Sequence, residues 1–153
     1  MTAPVTLEPP SQAGREAYRR RLSPTRKLRL AGEILASYVT IRWWLRRKSL
    51  EEAVAALKAG GPPDPAADGD RLLMGIRLGR TVGRTLGVLP ADSRCLVRSL
   101  VLTSLLARRG IASSLVIGVK AEPTFEAHAW VECGGIALLP PGDSAYGRLV
   151  ELS

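Results

Sequence analysis

A chain of 153 residues suits one ordinary domain, and with 46% of it apolar it has enough material for a buried core. Its formal charge of +8 is concentrated: residues 15–48 hold eleven Lys/Arg against Glu16 and Glu33, and the remainder is close to neutral. Such a surface favours an acidic partner, a nucleic acid or an anionic membrane face. No window approaches the ~18 apolar residues of a membrane span, and the first 14 residues lack a signal-peptide core, so a cytoplasmic protein is expected. Two cysteines in that compartment read as reactive or buried rather than disulfide-bonded.

In chain order, residues 1–14 read as a loose arm containing Pro4, Pro9, Pro10 and Gly14. A short basic helix follows from Gln12 to Leu22, ending near Pro24. From Arg26 to Lys48, Leu28, Ala31, Leu35, Tyr38, Ile41 and Leu45 recur at three- and four-residue steps, which predicts a long amphipathic helix with its cations on the other face. Ser49 and Glu52 have capping-box spacing for a helix through Leu57, ended by Gly60-Gly61-Pro62-Pro63. Asp68 and Asp70 are candidate caps for a helix marked by Leu72, Ile76, Gly79, Val82 and Leu86, with Gly87 as its end signal.

Asp92 or Ser93 then caps a helix that is apolar nearly all round, from Leu96 to Leu106, and Arg108-Arg109-Gly110 stops it. This places Cys95 in the first turn of a central helix. After Gly110 the period changes. Leu115–Val119 reads as a buried strand, Glu126–Cys133 as a second, Gly134-Gly135 as a hairpin turn, Ile136–Leu139 as a third strand and Arg148–Leu152 as a last. Helices followed by a strand meander predict an α+β fold with the sheet packed on the Cys95 helix.

Cys95 and His128 are the residues with chemistry to offer. A helix N-terminus stabilises a thiolate, Arg94 and Arg98 add positive charge nearby, and an imidazole can take the thiol proton. Taken alone, Cys95 reads equally well as a small buried apolar residue. His128 is the only histidine, flanked by Ala127 and Ala129, which leave room beside it. It shares a strand face with Trp130 and Glu132, and Cys133 falls on the opposite, core face. Trp43 and Trp44 read as an interaction patch or as one buried Trp beside a solvated basic face. A Cys–His pair needs a third group to hold the imidazole. Glu132 is some 13 Å along the strand at ~3.3 Å per residue, too far to do so. Reflecting His128 through the Gly134–Gly135 turn lands near Pro141, which makes Asp143 the best candidate. One His and two separated Cys carry no metal-ligand spacing, and there is no phosphate-loop or RNA-binding signature, so neither cofactor nor nucleic-acid partner is expected.

The run Cys95-Leu-Val-Arg98-Ser99-Leu-Val-Leu, then Arg108-Arg109-Gly110-Ile111, Leu-Val-Ile-Gly118-Val119 and Ala127-His128-Ala129-Trp130-Val131-Glu132 resembles the leader peptidases of bacterial lasso-peptide biosynthesis. These belong to the transglutaminase-like branch of the papain-type cysteine proteases. The likeness is strong over residues 90–140 and extends to the helical half only in length and character. It implies a Cys–His–Asp triad that cuts the leader from a ribosomally made precursor peptide, with Cys95 as nucleophile and His128 as base. It also implies a separate small leader-binding protein (a RiPP recognition element) and an ATP-dependent lasso cyclase as partners. The acidic step of that family falls at Pro140 here, so Asp143 fits only with a short insertion before it.

The expected organisation is therefore an arm (1–14), a helical basic region (15–88) and a Cys–His catalytic core (89–153) in one compact domain. The expected activity is hydrolysis by Cys95, whose backbone N–H is the first oxyanion donor. The basic face of residues 15–48 is expected to meet the leader-carrying partner or an acidic part of the precursor. Competing readings are a transglutaminase-like acyl transferase that uses an amine acceptor, and a non-catalytic basic adaptor.

Overall fold

The computed structural model describes residues 8–20, 22–59, 65–89, 94–121, 125–139 and 146–152. Five helices precede four strands: α1 (Gln12–Arg19), α2 (Pro24–Trp44), α3 (Leu50–Lys58), α4 (Asp68–Gly87), α5 (Arg94–Ala107), β1 (Ser114–Lys120), β2 (Glu126–Cys133), β3 (Ile136–Ala137) and β4 (Gly147–Leu152). The fold is α+β, with α5 at its centre.

Local chemistry accounts for most of the helix boundaries. Ser11 accepts from the Gly14 N–H to cap α1. Ser23 does the same for α2 from Arg26, so Pro24 opens the second helix and does not merely end the first. That is where proline fits best, since the N–H it lacks would be unpaired in any case. Both bonds of the Ser49–Glu52 capping box are made at α3. At α4 the expectation of an aspartate cap fails. The cap is Ala67, without a side-chain bond, and Asp68 and Asp70 sit inside the first turn, favourable to the helix dipole. Asp70 instead binds the backbone N–H and hydroxyl of Ser11 at 2.9 and 2.6 Å, tying the start of α1 to α4.

Helix α5 is the core. Leu100, Val101, Leu102, Leu105 and Leu106 are fully buried, each contributing about 1.5–3 kcal/mol of transfer free energy. They join Ile34 and Ile41 of α2, Val54 and Leu57 of α3, Leu78, Val82 and Leu86 of α4, and Leu115, Ala129 and Val131 of the sheet in one cluster. The helix stops at Gly110, whose φ of 67° suits a residue without Cβ, and the Ile111 N–H closes back on Leu106 O at 3.0 Å. Arg109 turns back to Leu105 O and forms two bonds to Glu33 of α2, at 3.2 and 2.9 Å.

The face of α2 that packs inward differs from the one expected. Ile34, Ser37 and Ile41 are buried, with Leu30, Tyr38, Trp44 and Leu45 packed beside them, while Leu28 and Leu35 are exposed. The helix has two apolar faces, and periodicity alone does not say which one α5 covers.

The sheet is antiparallel in the order β3-β2-β1-β4. The first three strands form the expected meander, turning at Gly134 and Gly135 (φ 56° and 77°). Strand β4 does not continue it but pairs on the far side of β1, with a register shift at Ile117/Gly118. Strand β3 pairs only through Glu132↔Ala137 and Cys133↔Ile136. Leu138 then packs on α4, where a Cβ at Gly79 would lie 2.5 Å from the Leu138 carbonyl oxygen.

Candidate active site

Cys95 is the second residue of α5, half-buried and packed against the core cluster. The first turn of a helix has unpaired N–H groups and the positive end of the dipole. The proposed caps Asp92 and Ser93 lie outside the described residues. Arg98 reaches toward the end of α4, where a Cβ on Gly87 would stand 3.6 Å from its guanidinium.

One turn beyond Cys95 on α5, the buried Ser99 hydroxyl donates to the Ala129 carbonyl of β2 at 3.0 Å. The short β3 explains this bond. Leu138 N–H takes the Val131 carbonyl at 2.8 Å, and β3 has ended before it can take the next carbonyl along that edge, that of Ala129. A hydroxyl on α5 satisfies it instead, as a buried carbonyl requires. The helix turn that carries the thiol therefore stands about 6 Å, one turn, from a residue bonded to the immediate neighbour of His128.

His128 is half-buried and shares its strand face with Trp130 and Glu132, opposite Ala129 and Val131, which join the core. The alanines beside it do not form its surroundings. Its ring stacks with two aromatic side chains, Trp130 with centroids 6.3 Å apart and planes at 20°, and Tyr146 at 5.4 Å and 28°. Gly118 of β1, paired with His128, makes this slot possible, because a Cβ there would come within 2.8 Å of the Trp130 ring and 2.9 Å of Tyr146 Cβ. The Tyr146 hydroxyl donates to Glu126 Oε2 at 3.0 Å. Thiol and imidazole thus belong to elements in contact, the thiol on the core side and the ring in an aromatic slot on the other strand face.

Glu132 is engaged elsewhere, as its distance from the ring implied. It accepts from Trp130 Nε1 at 2.7 Å and pairs with Arg148, which also pairs with Glu151 at 3.2 Å. Asp143 lies outside the described residues. Strand β3 is shorter than expected, ending at Ala137, and Leu138 packs on α4. The chain returns to His128 at Tyr146. Cys133 is half-buried on the core side of β2. Burial, then the charge of Asp68, push its thiol pKa up, which makes it the poorer nucleophile. Among the described residues no group of His, Cys, Asp and Glu is arranged to hold a metal ion.

Sequence reasoning missed Ser99, Gly118, Tyr146 and Arg148. Ser99 alone had a local signal, as a hydroxyl four positions after Cys95 on a mostly apolar helix.

A buried helix with cysteine in its first turn, laid on an antiparallel sheet whose second strand carries the histidine, is the architecture of a transglutaminase-like enzyme core. The model of the transglutaminase-like superfamily matches residues 35–151, from the middle of α2 to the end of β4, and the chain belongs to this superfamily. Its members are typically catalytic cysteine enzymes and include peptidases and acyltransferases. Neither a curated protein nor a solved structure matches the chain.

Proposed function

We propose that the protein is a cysteine peptidase that removes the leader from a ribosomally made precursor peptide in lasso-peptide maturation. The observation that carries the catalytic part is the Ser99–Ala129 bond, which fastens the turn after Cys95 to the strand position beside His128. The precursor chemistry rests on the resemblance of the Cys95–Glu132 run to lasso leader peptidases. The site of action is the cytoplasm, with a small leader-binding protein presenting the precursor and an ATP-dependent cyclase using the product.

In this reading the His128 side chain leaves its aromatic slot and turns past Ala129 to take the Cys95 proton, and Sγ attacks the carbonyl carbon at the leader–core junction. The tetrahedral oxyanion is met by the Cys95 backbone N–H. As the C–N bond breaks, the imidazolium returns its proton to the departing amine, leaving a thioester on Cys95. Water, deprotonated by His128, then attacks the thioester, releasing the leader carboxylate and restoring the thiol. Asp143 orients the imidazole through a ring N–H.

The test is cleavage of precursor in the presence of the leader-binding protein, followed by mass spectrometry. Cys95→Ala should abolish release, and His128→Ala should slow it by about 10²–10⁴-fold. Release that survives Cys95→Ala ends the catalytic reading. A product lengthened by an added amine, in place of a hydrolysed one, makes the protein an acyltransferase.

A further inference from the structure

The second apolar face of α2 is left without a partner among the described residues. Leu28 is 77% exposed, Leu35 43%, Val39 65% and Trp43 49%. At 100° per residue these four share one side of the helix, opposite buried Ile34, Ser37 and Ile41. The row runs about 22 Å at 1.5 Å per residue, four turns of continuous apolar surface. Solvated helix faces do not carry such a stripe without a use for it.

Two further features describe what fits. Gly32 lies between Leu28 and Leu35 in this row, where the missing side chain leaves a gap that opens to solvent, since a Cβ built there meets nothing within 4 Å. Cations frame the row: Arg29 and Arg42 flank it, and Arg46 and Arg47 stand at its end, Arg47 over the Trp43 ring at 4.4 Å. The single carboxylate of α2, Glu33, is held away by Arg109 at 2.9 Å.

We propose that this face docks a helix of another protein whose apolar ridge is flanked by carboxylates, with one side chain of the ridge seated in the Gly32 notch. Knob-in-notch packing at four-residue spacing is how helix ridges and grooves interlock, and the cations select an acidic rim. A second copy of this chain fits poorly, since it brings the same cations to the same face. A lipid surface is served by large side chains and gains nothing from a notch. The inference goes beyond the catalytic reading and survives its failure, because no residue of α2 takes part in the chemistry.

The experiment uses the full chain and fluorescence anisotropy with a helix-stapled peptide of about 18 residues, leucines at three- and four-residue spacing and glutamates on both flanks. The same peptide with lysine flanks, and vesicles of phosphatidylglycerol in phosphatidylcholine, are the comparisons. The glutamate peptide should bind and the lysine peptide should not. Leu35→Gln with Val39→Gln should weaken binding at least tenfold while leaving the circular dichroism spectrum and Cys95 alkylation rate unchanged. Gly32→Leu gives the two surfaces opposite signs. It stabilises the isolated helix yet should weaken the peptide several-fold by filling the notch, whereas vesicle binding would rise with the added leucine. Unchanged peptide affinity in these variants overturns the proposal. Vesicle binding strengthened by Gly32→Leu, without peptide binding, assigns the face to a membrane. Sedimentation as a dimer that the double substitution dissociates assigns it to self-association.

Discussion

At Gly118 the absence of one carbon shapes the histidine's surroundings. A Cβ would fall within 3 Å of both the Trp130 ring and Tyr146 Cβ, neither of which yields easily. Gly118→Ala is expected to cost about 1–3 kcal/mol through overpacking, read as a lower midpoint in chemical denaturation. It should also displace the aromatic slot, so turnover should fall by more than substrate affinity does. The two thiols differ for a physical reason as well. Burial holds Cys133 in its neutral form. Iodoacetamide at neutral pH should therefore label Cys95 first, and equal rates mapped by peptide mass spectrometry would contradict the environment assigned to each. The linkage has a definite sign. The folded pKa of Cys133 lies above its unfolded value, so its contribution to stability is whole below the unfolded thiol range and is lost as pH rises through the folded value. Denaturation profiles should decline on that alkaline side, and the decline should be shallower in Cys133→Val.

Between elements, the bond that matters most joins α5 to the open edge of β2. Ser99→Ala removes the only described donor to a carbonyl that β3 is too short to reach. The loss is expected to be about 1–3 kcal/mol, because the Ala129 acceptor stays buried without its partner. If the bond also positions catalysis, cleavage should fall in Ser99→Ala under conditions where the variant is fully folded. Restored stability without restored activity in a second-site revertant would confine Ser99 to a structural role. The capping box at α3 offers a cleaner case, since Ser49 is exposed and far from the site in sequence. Ser49→Ala should lower stability by about 1 kcal/mol with activity intact, measured on the same preparation.

For the whole molecule, α2 does two jobs on two faces, one in the core and one outward. Its inward face is pinned by the Glu33–Arg109 pair and by Ile34 and Ile41. Glu33→Gln should cost about 1 kcal/mol or less, with the difference from wild type shrinking as salt is raised, because the pair is partly exposed. Among the described residues no helix is long and apolar enough to cross a membrane. Much of this architecture was legible beforehand. Serine caps, Gly110, the Gly134–Gly135 turn and the switch from helical to alternating periodicity are local signals, and the elements they mark lie close to where they were expected.

Chain chemistry alone determined the centrality of α5, the helix-start position of Cys95, the β2 location of His128 and the core side of Cys133. Each depends on neighbours within a turn or a strand. Tertiary structure decided the rest: which apolar face of α2 meets α5, that β4 pairs with β1, and that β3 stops early enough for Ser99 to reach Ala129. It also decided that Trp130 and Tyr146 stack with the imidazole. Those outcomes turn on contacts between residues far apart in the chain, where burial and excluded volume choose among arrangements that local pattern leaves equal.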